Sequence, residues 1–269
     1  LSDDISTLHF LQYYGLSEMI INSFFRPFFS GIFLEKKLET SSKFFKYVFS
    51  KLNVGSAALP LKGMQEIPDN MYHRLDPSMI LLDKKVEKIH SEKKIELHDG
   101  QIIQGNQIIL TGQSHELIVS KAIKHNSIKT IYFSSKIEPK NGKYIHLFPE
   151  DEIINNIAFL TKISAHYSTR SDHLISVTIF SEIKSESENI SYVRKKLPDF
   201  YGGTEFDYKF LKIMYIDKGT ISQPSGYFDN RFFEKDGAIL AGDNTVNGSI
   251  EGAVLSGIRA IDLIDIESH

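Results

Sequence analysis

The spacing of apolar residues changes along the chain, and each change marks a different kind of element. Through about residue 78 they recur at helical intervals. "DDISTLHFLQYYGL" carries Asp and Ser caps ahead of an apolar run and stops near Gly15. "SEMIINSFF" should end as Arg26-Pro27 approaches, because a residue before proline is pushed out of the helical region. In "TSSKFFKYVFSKLN", Phe44, Phe45, Val48, Phe49 and Leu52 share one face, while Lys43, Lys46 and Lys51 fall largely elsewhere. Such a stripe can cover a core or lie on a membrane surface. "LPLKGMQEIPDNMYHRL" turns at Pro60 and Gly63 and enters a further helix.

From Met79 apolar and polar residues alternate. Three short runs, 79 to 90, 94 to 98 and 101 to 110, with Asp99-Gly100 as a tight turn, predict a β-meander. A short helix is predicted over 114 to 124, then strands in "KTIYFSSKI", "KYIHLFPE", "NIAFLTKISAHY" and "HLISVTIFS". "SENISYVRKKLPDF" reads as a helix stopping at Pro198, and "YKFLKIMYIDKGTISQP" as strand. No flexible linker separates these patterns. Two domains through which the chain passes more than once are expected, with divisions at 1–78, 79–112, 113–228 and 229–269.

The chain closes on "ILAGDNTVNGSIEGAVLSGIRAI". Asp236-Gly237 offers a turn, residues 238–241 a buried strand, and Asp243 then stands at that strand's C-terminal end, where open α/β sheets bind ligands. A helix is predicted from about Ser249. Gly252, Ala253, Ser256, Gly257 and Ala260 give it a face of very small residues, and Ile250, Val254, Ile258 and Ile261 a neighbouring apolar stripe expected to pack in a core. Two glycines inside a helix forgo about 1 kcal/mol each, so something must approach closely. Either a ligand or another stretch of backbone meets that demand. The helix N-terminus offers free N–H groups to an anionic or electron-rich partner.

Composition narrows the choices. The 269 residues carry a net charge of −3, which gives no electrostatic case for nucleic acid. There is no cysteine, so disulfides and thiolate metal sites are out. The ten histidines show no H-x-x-x-H or H-E-x-x-H spacing, and G-x-S-x-G and P-loop motifs are absent. His90 and His98 are candidate cross-strand neighbours in the meander. "LSDDISTLHF" lacks the basic start and apolar core of a signal peptide, which implies a cytoplasmic protein, and "MIINSFFRPFFSGIFL" is too short and too polar to span a bilayer. The 19 Phe and 12 Tyr could wall an apolar cavity or fill a core.

The terminal stretch resembles the C-terminal flavin-binding motif of the FAD-dependent amine oxidase superfamily, which includes phytoene desaturases and protoporphyrinogen oxidase. "FFRPFFSGIFLEKKLETSSKFF" and "PLKGMQEIPDNM" are similar to the substrate-domain segment of bacterial members, and "VEKIHSEKKIELHDGQIIQGNQIILTG" to the cofactor-domain meander. The resemblance implies an α/β fold: an incomplete glutathione-reductase-type FAD-binding domain, made of the meander and the terminal strand and helix, with a substrate domain of mixed β-sheet covered by helices. It places Asp243 on the ribityl or pyrophosphate part of FAD with Gly242 leaving room. Backbone N–H groups over Gly248, Ser249, Ile250, Glu251, Gly252 and Ala253 would face the pyrophosphate and the flavin edge. Val86 would hold the adenine through its backbone, and Thr111 and Gly112 would lie near the adenosine half. Lys62 stands where many relatives have glycine, and is either directed at the flavin or an exposed turn residue.

The departure from the family's pattern is large. None of the 17 glycines forms the G-x-G-x-x-G turn that opens a dinucleotide-binding half. The expectation is a fragment of a longer flavoprotein, binding FAD weakly or not at all when alone and inactive by itself, with a companion chain or a homo-oligomer covering the missing half. The reaction implied for the whole is hydride transfer from a small apolar or amine substrate to flavin. No catalytic residue is singled out. A non-catalytic binding or scaffold protein derived from the family is the alternative.

Overall fold

A computed structural model describes residues 4–119, 123–180, 185–229 and 233–267. The helical segment contains α1 (Thr7–Tyr13), α2 (Glu18–Ile20), α3 (Arg26–Phe33), α4 (Ser42–Val54) and α5 (Glu66–Tyr72). Ser6 caps α1 by accepting from the His9 N–H, and Ser41 caps α4 in the same way from Lys43. The helix expected to end before Pro27 continues through it. Residues Ile21–Phe25 form a π-helical turn in which the Arg26 N–H bonds the Ile21 carbonyl, so Pro27 enters the first turn of α3, where its missing N–H leaves no bond unmade. Leu11, Ile21, Phe29, Phe33, Leu38, Phe44 and Phe45 form one core, with the Phe29 and Phe45 rings 4.7 Å apart. Most of the aromatic residues in this segment are therefore packing material, and the second half of the α4 stripe, Phe49 and Leu52, stays exposed.

Strands β1 (Val86–His90), β2 (Lys94–Leu97) and β3 (Ile102–Gln104) make the predicted antiparallel meander. The third apolar run is two strands, not one. At Gly105 the N–H closes onto the Lys93 carbonyl and ends the pairing, and β4 (Ile108–Thr111) leaves for another sheet. His90 and His98 are not neighbours: His90 faces Glu96 and His98 faces Glu87. In place of the helix expected at 114–124 there is a 3-10 turn, Gly112–Leu117; positions 120–122 lie outside the described residues.

The rest of the chain builds a five-stranded sheet and the closing unit. In chain order come β5 (His125–Ser135), β6 (His146–Leu147), β7 (Ile154–Phe159), α6 (Leu160–Ile163), β8 (His173–Ile179), α7 (Glu186–Tyr201) and β9 (Lys209–Ile221). The strand order is β6-β7-β8-β5-β9, and every pair is antiparallel, so the sheet is not mixed as expected. Antiparallel pairing needs no helical crossover between strands. Ile131, Phe133, Ile157, Phe159, Ile175 and Val177 on one face pack against Val193 and Leu197 of α7, each such side chain contributing about 1.5–3 kcal/mol. Helix α7 runs past Pro198 and ends at Gly202, whose φ of 83° breaks it and whose N–H bonds the Pro198 carbonyl. A proline in the last turn removes one bond without ending the helix.

Last come β10 (Glu234–Lys235), β11 (Ala238–Ala241), α8 (Asp243–Val246) and α9 (Ile250–Glu267). Asp236-Gly237 makes the hairpin turn, both with positive φ. The small sheet has the order β10-β11-β4, with β11 and β4 parallel. β11 is buried on both faces: Ala238 and Leu240 pack with Leu110 on the meander side, and Ile239 and Ala241 pack on Ala260 of α9. No helix among the described residues is long and apolar enough to cross a membrane.

Candidate cofactor site at the parallel strand ends

Register fixes the site. Ala241 of β11 stands opposite Thr111 of β4, so both parallel strands end together, and the residues that follow, Gly112 and Gly242, are brought side by side. A Cβ on Gly242, whose φ is 140°, would meet the Asn244 Oδ1 at 2.7 Å and the Gly112 nitrogen at 3.3 Å. Only glycine lets the two ends close up in this way. Gly112 itself, at φ 54°, faces open space. Thr111 is tied down by Ser114, whose hydroxyl accepts from the Thr111 N–H at 2.7 Å and donates to its carbonyl at 2.8 Å.

A residue that the sequence did not flag holds this junction. His115, 2% exposed, places Nε2 at 2.8 Å from both the Leu110 and the Ala241 carbonyl oxygens. Carbonyls only accept, so Nε2 carries the proton. Nδ1 then accepts from the Asn244 amide at 2.8 Å. One imidazole thus bonds the last turns of both strands and the turn after them. No sequence signal marks it, since its partners lie 5, 126 and 129 positions away.

Asp243 sits half-buried at the head of α8. Burial raises its carboxyl above the ordinary value, while the Asn244 N–H and the neighbouring His125 and His115 pull the other way. The Asn244 Oδ1 is buried and has no partner.

Part of the small-residue face of α9 packs, while the apolar stripe expected to pack does not. Gly252, Ser256 and Ala260 are buried, whereas Ile250, Ile258 and Ile261 are 52%, 53% and 58% exposed and Val254 is also exposed. The reason is contact distance: a Cβ on Gly252 would lie 2.1 Å from the Asn247 carbonyl oxygen, so only the bare face fits against the turn before it. The Ser256 hydroxyl accepts from the Gly242 N–H at 2.7 Å and donates to the Ala253 carbonyl at 2.6 Å, locking the helix to the strand end. Gly248 is likewise pressed by protein, since its Cβ would meet the Gln223 amide at 2.8 Å. Ala253 and Gly257 are exposed, and Gly257 faces open space.

The run of N–H groups expected to be free is mostly used. Ser249 donates to the Asn247 carbonyl, Gly252 to the Ser249 hydroxyl and Ala253 to the Ser249 carbonyl. Among the described residues, the amides of Ile250 and Glu251 have no protein partner. The Glu251 side chain bonds Tyr47 and Lys51 of α4. Val86 opens β1, half-buried and opposite Leu97, within the meander. Lys62 is an exposed turn residue whose N–H bonds Glu66.

Paired parallel strand ends, with Gly112 facing open space and Asp243 at the head of the helix that follows, are the arrangement in which open α/β proteins place ligands at the carboxyl edge of the sheet. The sequence profile of the flavin containing amine oxidoreductases matches residues 1–264, and the chain belongs to that family. No curated protein matches it. Solved structures share the fold. The PF1083 protein from Pyrococcus furiosus is 14% identical with a TM-score of 0.73, covering 97% of this chain and 68% of that one. An oxidoreductase from Methanosarcina mazei is 17% identical over the same shares, also at 0.73. A reduced UDP-galactopyranose mutase is 14% identical at a TM-score of 0.65, with 93% of this chain and 66% of that chain covered.

Proposed function

We propose that this chain forms the substrate-facing part and the terminal cofactor strand and helix of an FAD-dependent oxidoreductase acting on an apolar or amine substrate. The observation that carries this reading is the junction of Thr111-Gly112 with Gly242-Asp243 at the ends of two parallel strands, in a chain of this family. The described residues fit the group. Gly112 and Gly257 leave space, Asp243 offers an acceptor for ribityl hydroxyls, and the free amides of Ile250 and Glu251 can face a phosphate or the flavin edge. The buried Asn244 Oδ1 lacks a donor, which a bound hydroxyl would supply. Bound flavin supplies hydride-accepting chemistry. The protein's own contribution is to fix the strand ends through His115, to hold α9 through Ser256 and Glu251, and to wall the substrate side.

Among the described residues the cradle is one-sided. β4 is an edge strand among the described residues, and Ile250, Val254, Ile258 and Ile261 lie exposed on α9. We propose that a dinucleotide-binding half, from a companion chain or a longer polypeptide, pairs with that edge and covers that stripe. The test is reconstitution: the chain is mixed with FAD alone, and with FAD plus an N-terminal dinucleotide-binding half from the family. A flavin absorbance band that stays with the protein only in the second mixture is the expected result. No retained flavin in either mixture defeats the oxidoreductase reading and leaves a non-catalytic binding protein.

A further inference from the structure

Away from the strand ends, a cleft of about 120 Å³ lies where α3 meets the start of β7. Ser30, Arg26, Lys36, Asp151, Asn155 and Phe180 are among its walls. At roughly 30 Å³ per water it holds about four waters or one tetrahedral ion. Ser30 is 2% exposed and its hydroxyl has no hydrogen-bond partner in the protein. A buried hydroxyl in a helix ordinarily bonds back to the carbonyl four residues earlier. This one does not, and a buried polar group left open is rare enough to require a partner from outside.

The charge around the cleft points to the partner's sign. Arg26 donates from Nε to the Asn22 Oδ1 at 3.0 Å and from Nη1 to the Lys36 carbonyl at 2.8 Å. Lys36 donates to the Glu152 carbonyl at 2.9 Å and stands over the Phe180 ring. Every one of these acceptors is neutral, and among the described residues neither cation forms an ion pair. The carboxylate that lines the cleft, Asp151, accepts from three neutral donors: Oδ1 from the Ile153 and Ile154 amides at 2.9 and 2.7 Å, and Oδ2 from the Tyr192 hydroxyl at 2.9 Å; its single negative charge is outnumbered by the two cations. One proton of the Asn155 amide goes to the Pro27 carbonyl at 3.0 Å, and its Oδ1 accepts from Asn156 at 3.2 Å. The donors that remain are the second guanidinium nitrogen of Arg26, two ammonium protons of Lys36, the second amide proton of Asn155 and the Ser30 hydroxyl.

We infer that this cleft binds a small oxyanion, with phosphate as the probe of the right shape: one oxygen accepts a hydrogen bond from the Ser30 hydroxyl and others accept from Arg26 and Lys36. The inference does not depend on the flavin reading. It is tested on the full chain by calorimetric titration of inorganic phosphate at constant ionic strength, with chloride as the balancing salt and with melting temperature as a second readout. Saturable phosphate binding is expected, weakened about tenfold or more in Arg26→Gln and severalfold in both Ser30→Ala and Lys36→Gln. Ser30→Ala removes only the open hydroxyl, so it should fold and melt at least as high as the parent without phosphate. Two results overturn the assignment: a melting shift equal in phosphate and in matched chloride, or phosphate binding unchanged in Ser30→Ala and Lys36→Gln. If binding persists in those two and is lost in Ser249→Ala, the ion sits at the head of α9 instead, and the cleft carries no site.

Discussion

The Tyr47 hydroxyl donates to the Glu251 carboxylate at 2.5 Å, joining a helix near the start of the chain to the first turn of the last one. Lys51, one turn further along α4, reaches the other carboxylate oxygen at 3.1 Å and lies against the Tyr47 ring. The Tyr47 bond and then Lys51 hold the Glu251 carboxyl below its ordinary value, and burial followed by Glu251 raises the Tyr47 phenol. Helices α4 and α9 are therefore latched at the point where the resemblance placed a backbone contact to flavin.

The latch predicts coupling. Tyr47→Phe and Glu251→Gln should each lower the melting temperature at neutral pH, and the double variant should melt no lower than the worse single one. A depressed carboxyl stabilises the fold above its unfolded value, near 4.5, and loses that effect as pH falls through its folded value. The deficit of Glu251→Gln should therefore vanish in acid. Fully additive melting shifts in the double-mutant cycle would show that the two side chains do not act on one another.

His115 predicts a large and local effect. His115→Ala empties a buried site and leaves the Leu110 and Ala241 carbonyls and the Asn244 amide without their donor or acceptor. A loss of roughly 2–4 kcal/mol is expected in urea denaturation. The imidazole nitrogen shifts in NMR should report a proton on Nε2 and a bare Nδ1. The opposite tautomer would mean that the ring does not clamp the strand ends.

What the sequence disclosed depends on how local each cause is. The terminal strand was legible because residues 238–241 are uniformly apolar after Asp236-Gly237, and it is buried on both faces. The meander was legible by alternation, but its third run was not separable into β3 and β4, because what splits it is the bond from Gly105 back to Lys93. The π turn before Pro27 escaped notice since proline normally marks an end, and only the Ile21 carbonyl's bond to Arg26 shows otherwise. On α9 the apolar stripe expected to pack lies exposed, and of the two partners left open for the small residues it is backbone that meets Gly252. Composition alone suggested that the bulky stripe packs, yet the neighbouring Asn247 carbonyl leaves room for nothing larger than the bare Gly252. His115 and the Tyr47–Glu251 latch need partners more than a hundred residues away, which no spacing rule can encode.

The two helical glycines of α9 should behave oppositely. Gly252→Ala forces a Cβ against the Asn247 carbonyl and is expected to destabilise by about 1–3 kcal/mol. Gly257 has open space and an exposed position, so Gly257→Ala should stabilise by about 0.5–1 kcal/mol through helix propensity. Urea midpoints compare the pair. If Gly257→Ala gains that stability but loses flavin in the reconstituted protein, its bare surface is reserved for the ligand.

Asp243 gives a prediction in which stability and binding move in opposite directions. Its folded-state carboxyl titrates above the ordinary 3.8, chiefly because burial disfavours the charge. As pH rises from 3.8 through the raised value, the unfolded chain releases its proton first, the folded chain holds more protons, and stability falls across that window. Below 3.8 both states are protonated and there is no penalty. Asp243→Asn abolishes the charge, so its stability advantage over the parent should be near zero in acid, grow through the window and stay constant above it. Denaturation at a series of pH values measures this, and a difference that does not vary with pH would rule out a buried charge at this position. If Asp243 also accepts flavin hydroxyls, as proposed, the same substitution should weaken flavin retention in the reconstituted protein while raising the stability of the chain alone. A destabilised packing site would lower both, so the split between the two measurements separates a ligand-holding carboxylate from a structural one.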